Sequence, residues 1–437
     1  MRSLKPAALI LIVLLAAHSF VCAESWNFAV VGDTRSNSVT PGVNTDAVNA
    51  IATDIVNNRN CAFLLIPGDL TYGGDFDNQF QVFKDTASAA GLKVGEAGGS
   101  GLPYYVVRGN HESGAGDLAS WQGAFGDLPQ NGPAGEEGLT YSFTYENALV
   151  IGVDEYIGTW HTVNDQTWID GQLAGNTRHV FAFGHDPAYR AGHSDCLADD
   201  KANRDAFLTS LYNANGKIYF CGHDHMTALA RVYEKSPASG GSQDFYQALI
   251  GGGGAPLTDF NGTYNSGSHS GDYAVTGLYH DSDTTHSIPY HYAYAVITVN
   301  DDLIWMKIYG TESLTTISWQ LLYSLVVSGT LQGDSSTITG DFANDSGITF
   351  TQTNDGSYAG VMSGAGGLAK EGEGTLTLSG TNTYTGATTV NAGALSVTGS
   401  CAGSDVTVNA GGILKGTGTV KSITNNGMVQ PGNSVVP

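Results

Sequence analysis

The sequence predicts an α/β domain with largely buried parallel strands, followed by an all-β, solenoid-like segment. Two observations carry this reading. Five apolar runs each end in a short polar motif: Gly32-Asp33, Gly68-Asp69, Gly109-Asn110-His111-Glu112, Gly184-His185 and Cys221-Gly222-His223-Asp224-His225. Beyond about Gly310 the composition changes. The last histidine is His291, the last tryptophan is Trp319, and the chain becomes a mixture of Gly, Thr, Ser, Asn and Val in alternating patterns.

Taken in order, residues Met1–Ala23 read as a secretory signal. Arg2 and Lys5 give a basic start, Ala7–Ala17 is an apolar stretch too short to span a bilayer, and cleavage is expected after Ala23. Cys22 is not read as a lipidation site, because Val21 is too large for the position before it. The runs Trp26–Val31, Cys61–Ile66, Tyr104–Val107, His179–Phe183 and Lys217–Cys221 are continuous and apolar, as strands buried on both faces require. Val43–Val56 and Asn203–Leu211 carry apolar residues at helical spacing, and Leu139–Val153 reads as a hairpin. The order is β-α-β with crossovers, and the glycines allow a sharp turn just past each strand. Carboxylates, an amide and imidazoles are thus delivered to strand ends, where an open α/β sheet puts its ligand site. That mixture of oxygen and nitrogen donors suits hard or borderline metal ions.

This order of motifs, over about Trp26–Tyr309, resembles the calcineurin-like metallophosphoesterase superfamily, in particular its purple acid phosphatase-like branch with Gly-Asp-Leu-x-Tyr, here Gly68-Asp69-Leu70-Thr71-Tyr72. The resemblance implies a four-layer β-sandwich flanked by helices. It also implies two metal ions (iron, zinc or manganese): Asp69 would bridge them, Asp33, Tyr72 and His225 would join it on the first, and Asn110, His185 and His223 on the second. His111 would sit beside the substrate phosphate and assist the leaving group, oriented by Glu112 or Asp69. Two ions clamp a phosphoryl group and generate a hydroxide nucleophile for in-line attack.

The first motif departs from the Asp-x-His found in many members: it reads Asp33-Thr34-Arg35, and an arginine has no lone pair to offer a metal. Two readings stay open. Tyr72 supplies the missing ligand, which would favour trivalent iron, and Arg35 binds the substrate phosphate; or the first metal site is weak and one tightly held ion suffices. Asp224 is expected to face away or to support a ligand. His193 and Asp195 are read as part of a solvated loop. Thr258–Tyr292, with His269, His280, His286 and His291, is read as a long connection or lid. Gly251–Gly254 is read as close packing near the site, since no Lys-Ser/Thr follows it.

The formal net charge is −23, and loss of Arg2 and Lys5 takes it to −25 (−23 − 2). Such a chain does not bind nucleic acid or anionic membranes through electrostatics. A phosphate substrate remains compatible, because metal charge dominates locally. Cys61, Cys196, Cys221 and Cys401 remain after cleavage; export permits disulfides, and spacing does not select a pairing.

In the last third, Val-Asn-Ala-Gly occurs at Val390 and again at Val408, within alternating stretches separated by glycines. Stacked short strands produce this pattern. Gly364–Gly386 resembles the autotransporter-associated β-strand repeat of bacterial surface proteins, and Val406–Ser434 the segment that follows it. The expected organisation is a signal peptide at 1–23, the phosphoesterase domain at 24–312, a β-rich transition at 313–362 and the repeat segment at 363–437. A solenoid so short would be marginally stable. The functional expectation is an exported (secreted, periplasmic or cell-surface) bacterial metallophosphoesterase acting on a small phosphate ester or phosphorylated polymer. The rival is an adhesin-like surface-binding protein whose phosphoesterase scaffold is catalytically weak.

Overall fold

The computed structural model describes residues 25–73, 75–114, 117–176, 178–234, 244–260, 264, 273–281 and 291–432. The expected signal segment, His269 and His286 lie outside them.

Two β-sheets face each other. The first is built on β1 (Trp26–Val30), β2 (Cys61–Pro67), β3 (Leu92–Val94) and β4 (Leu102–Val107), all parallel. The second contains the hairpin β5 (Tyr141–Tyr145) and β6 (Ala148–Gly152), then β7 (His179–Phe183), β8 (Gly216–Cys221), β9 (Thr227–Glu234), β10 (Asp244–Ile250) and β11 (Tyr273–His280). Its order is β11-β9-β10-β8-β7-β6-β5, with β6, β7, β8 and β10 parallel. An antiparallel run of β12 (Tyr292–Asn300), β13 (Leu303–Thr311) and β14 (Gln320–Ser328) extends the first sheet from β1. Phe28 joins the sheets. Its ring stacks on Phe63 at 5.1 Å and meets Phe181 and Phe220 of the opposite sheet edge-on at 4.9 and 5.8 Å.

Helices cover the outer faces. On the first sheet, α1 (Thr45–Asn58) and α2 (Phe76–Ala89) bury Val48, Ile51, Ile55, Phe80 and Phe83, with α3 (Asp117–Ala124) beside them. On the second, α4 (Gln166–Leu173) and α5 (Lys201–Asn213) bury Ile169, Leu173, Phe207, Leu208 and Leu211. Helix, sheet, sheet, helix is the expected four-layer sandwich. The Asn44 side chain caps α1 by accepting from Ala47 N at 3.2 Å and donates to Gly254 O at 2.8 Å, so the glycine run is tied to the start of α1.

The C-terminal segment forms two parallel ladders. One runs through Thr330–Gly333, Gly347–Thr351, Gly367–Glu371, Thr388–Val390, Ser400–Val408 and Thr419–Asn425. The other runs through Gly356–Tyr358, Thr375–Leu378, Gly393–Val397, Gly412–Gly416 and Met428–Pro431. Equivalent apolar residues stack rung on rung, as in Ile348, Leu368 and Leu376, Leu395, Leu414. The ladders start ahead of the stretch in which the sequence repeat is legible, because the earlier rungs keep the alternation but not the Val-Asn-Ala-Gly turn. Phe342–Asn344 and Met362–Ser363 add to the first sheet at β14, and Val326 of β14 is buried in the solenoid core. Cys61, Cys196, Cys221 and Cys401 are all free thiols, and burial pushes Cys61 up to about 12 and Cys196 to about 11.

Candidate metal centre

The five strand-end motifs converge between the C-terminal ends of β1, β2, β4, β7 and β8. The loops there are unusually tight. Asp33, Asp69, His223 and His225 adopt left-handed backbone conformations, with φ of 57°, 54°, 72° and 46°. Such conformations cost energy in non-glycine residues and persist where the surroundings enforce them. Neighbouring glycines make the room. A Cβ at Gly251 would fall 2.7 Å from Asp33 Oδ2, one at Gly68 2.7 Å from His185 Nδ1, and Cβ atoms at Gly109 and Gly222 would collide with Asp69 and Asp33. The expectation that Gly251–Gly254 packs closely against the site therefore matches the geometry.

Asp33, Asp69, Asn110, His185, His223 and His225 are brought together. Ligand atoms of Asp33, Asp69 and His225 lie within 4.8 Å of one another. On the other side of Asp69, His185 Nε2 lies 3.1 Å from Asn110 Oδ1 and 3.5 Å from Asp69 Oδ1. His185 Nδ1 is 2.9 Å from Pro67 O and donates to it, which leaves Nε2 as the lone-pair nitrogen. Asp69 Oδ1 accepts from His111 N at 3.1 Å, but His185 Nε2 and Asn110 Oδ1 face each other as two acceptors, an arrangement that a cation resolves. His223 Nε2 is buried without a hydrogen bond, although Asp195 Oδ2 stands 3.4 Å away. These residues fit a metal ion.

The electrostatics agree. Burial opposes ionisation of Asp69, but His185, His111 and Arg35 hold its carboxyl well below the usual range. Burial raises Asp33 well above it, and the negative charge of Asp69 adds to the effect. Burial disfavours the charged form of His223, yet Asp195, Asp186 and Asp224 outweigh it and push it up to about 10, so these acids favour positive charge there and a bound metal would displace that proton.

Tyr72 and Arg35 sit differently from the other residues. The Arg35 guanidinium is over the Tyr72 ring, 4.9 Å from its centroid. Arg35 Nε donates to Asp69 Oδ2 at 3.0 Å and its terminal nitrogen to His225 Nε2 at 2.8 Å. The Tyr72 ring also meets His111, with centroids 4.7 Å apart. The His111 side chain is 23% exposed, more open than Asp33, Asp69, His185, His223 and His225, and its Nε2 is 4.0 Å from Asp69 Oδ2. Glu112 does not orient it. That carboxylate turns inward and accepts the N–H groups of Asp69, Thr71 and Gly109 at 3.0, 3.0 and 2.9 Å.

Other residues support the site. Asp224 accepts the N–H groups of Ala191, Gly192 and His193. It thereby draws in the loop read as solvated, so that the His193 ring lies 4.7 Å from His223 and Asp195 faces the same imidazole. Buried Glu155 accepts from His185 N and Asp186 N, and Asp186 binds Tyr156 Oη and His161 Nδ1, each at 2.8 Å. His161 follows no motif, and only folding brings its loop to the site. Asp224 had one clue: an acid alternating with two histidines directly after a strand.

Residues 27–227 match the family model described as Calcineurin-like phosphoesterase, and residues 368–397 the model described as Passenger-associated-transport-repeat. Among characterised proteins, an 81-residue stretch is 46% identical to the extracellular serine protease of Serratia marcescens. Another match of 81 residues is 41% identical to the adhesin BmaC autotransporter of Brucella suis biovar 1 (strain 1330). These stretches are 18% and 17% of this chain, and they span 8% and 2% of the two relatives. Similar solved structures include GAP50, the anchor in the inner membrane complex of Plasmodium (17% identity, TM-score 0.44, 69% of this chain and 89% of that one). Purple acid phosphatase PPD1 from yellow lupin is another (15% identity, TM-score 0.46, 68% and 53%), as is PhoD (12% identity, TM-score 0.44, 68% and 68%). The chain is therefore similar to calcineurin-like phosphoesterases over residues 27–227 and, farther along, to a passenger-associated-transport repeat over residues 368–397.

Proposed function

We propose that this chain is an exported, metal-dependent hydrolase of phosphoric esters, with Asp33, Asp69, Tyr72, Asn110, His185, His223 and His225 as the donor set. The observation that carries the reading is the meeting of two acceptors, Asn110 Oδ1 and His185 Nε2, at 3.1 Å beside Asp69 Oδ1. The family match over residues 27–227 supports the reaction class. Filled with two ions, the set would be the dinuclear centre that the family resemblance implies, and iron, zinc and manganese all suit these donors. Bound metal would supply the concentrated positive charge that polarises a phosphoryl group and activates water.

The remaining work falls to the chain itself. Asp69 lies between the two donor groups and keeps them in register. His111, half-open and beside Tyr72, gives a proton to the leaving oxygen. Arg35 adds a fixed positive charge beneath the phosphoryl oxygens. The substrate is a phosphate ester of a small molecule or a phosphorylated polymer. Among the described residues no helix is long and apolar enough to cross a membrane. The passenger-type repeat and the leader expected at residues 1–23 support export to the periplasm, the cell surface or the medium.

Hydrolysis of p-nitrophenyl phosphate and its bis-ester, with manganese, zinc or iron and with chelator, tests the reading. Metal-dependent, chelator-sensitive release of nitrophenol is expected. Metal-free protein that hydrolyses neither ester with any ion, yet binds a cell-surface polymer, would establish the adhesin-like alternative.

A further inference from the structure

We propose that the Arg35 guanidinium is a built-in cation that takes the place of one metal ion, so that the chain holds a single ion at Asp69, Asn110, His185 and His223. This inference rests on the metal-dependent reading above and sharpens it.

The argument begins with His225. Its Nδ1 donates to Pro256 O at 3.2 Å, so Nε2 is the lone-pair nitrogen. That lone pair, the one a metal would need, accepts from Arg35 at 2.8 Å. Asp69 divides its carboxylate. Oδ2 takes the Arg35 Nε–H at 3.0 Å, while Oδ1 faces His185 and accepts from His111 N at 3.1 Å. The Tyr72 ring lies against the guanidinium, 4.9 Å from its centroid. Thus two of the atoms expected to hold the first ion, Asp69 Oδ2 and His225 Nε2, are engaged by Arg35, and the Tyr72 ring lies against it.

Arg35 is also held in place. It is 6% exposed, and one terminal nitrogen donates to Ser36 O at 3.0 Å. Its backbone N–H is bonded to Asp69 O at 3.0 Å, which ties the first motif to the second. A guanidinium stays charged at any accessible pH and cannot itself coordinate a metal. A second ion would have to displace a buried, ion-paired arginine or sit against it. On the Asn110 side the opposite holds: the acceptors Asn110 Oδ1 and His185 Nε2 converge and Arg35 makes no hydrogen bond with them.

Metal counting on the full mature chain decides the matter. The protein is loaded with manganese, desalted, and analysed for bound metal and by electron paramagnetic resonance. One manganese per chain with an uncoupled spectrum is expected. Arg35→Ala is expected to take up a second ion and show an exchange-coupled pair. Arg35→Lys, which keeps the charge, should remain at one and controls for misfolding. His225→Ala should still hold one ion, and Asn110→Ala should lose it. Two tightly held ions in the unaltered chain would overturn the role of Arg35 while leaving the phosphoesterase reading intact. No bound ion together with no ester hydrolysis would overturn both.

Discussion

Glu112 Oε2 accepts the backbone N–H of Asp69 at 3.0 Å, so a buried carboxylate that touches no proposed ligand side chain sets the shape of the loop that presents Asp69. The same oxygen takes Gly109 N at 2.9 Å, and Oε1 takes Thr71 N at 3.0 Å. The loops after β2 and β4 are therefore held to one another through a single side chain. Burial, reinforced by Asp69, pushes Glu112 up to about 8, and its backbone donors counter that rise.

Glu112→Gln puts an amide N–H₂ against at least one of those backbone donors. Metal affinity should fall roughly 10–100-fold, the usual effect of changing a group that orients ligands. Titration of manganese into both proteins measures it, and equal affinities would show that the loop holds its shape without the carboxylate.

His111→Ala should leave metal content unchanged and lower turnover by about 10²–10⁴-fold, the ordinary share of acid–base catalysis. The deficit should be larger for an alkyl phosphate than for p-nitrophenyl phosphate, whose leaving group needs no proton. Loss of metal from this variant would reassign His111 as a ligand.

Glu136 is buried as a residue, and desolvation with Asp165 alongside pushes its carboxyl up to about 7 from an ordinary 4.5. Because the folded chain holds this proton more tightly than the unfolded one, its contribution is fully present below about 4.5. It is lost progressively as pH rises to about 7. Glu136→Gln removes that loss. Melting curves should separate above neutral pH, with the variant more stable by roughly 1–3 kcal/mol, and converge near pH 4. Parallel curves would mean that Glu136 ionises in the folded chain as readily as in the unfolded one.

Lys370 is buried in the solenoid, and its ammonium donates to the carbonyls of Glu371, Gly372 and Ala392 at 2.8, 2.8 and 3.0 Å. Lys370→Met leaves those oxygens without this donor and should cost about 2 kcal/mol or more. Earlier proteolysis of the C-terminal segment, with ester hydrolysis unchanged, is the expected result.

What the sequence by itself determined is local. Each strand–motif unit is legible because an apolar run ending in glycine and a polar donor is a short-range pattern. The hairpin at Leu139–Val153, the helices near α1 and α5, and the rungs around Val390 and Val408 are legible for the same reason. The donor residues could be named because their types and order carry chemistry before any contact exists. The tertiary structure alone decided which donors remain available. Arg35 and His225 are 190 residues apart, yet their contact occupies the lone pair a metal would use. Asp224 pulls His193 and Asp195 to the site, and Asp186 positions His161. The earliest solenoid rungs were hidden because their apolar residues match across the ladder rather than along the chain. In each case the deciding interaction is long-range electrostatics or packing between loops, which no window of sequence contains.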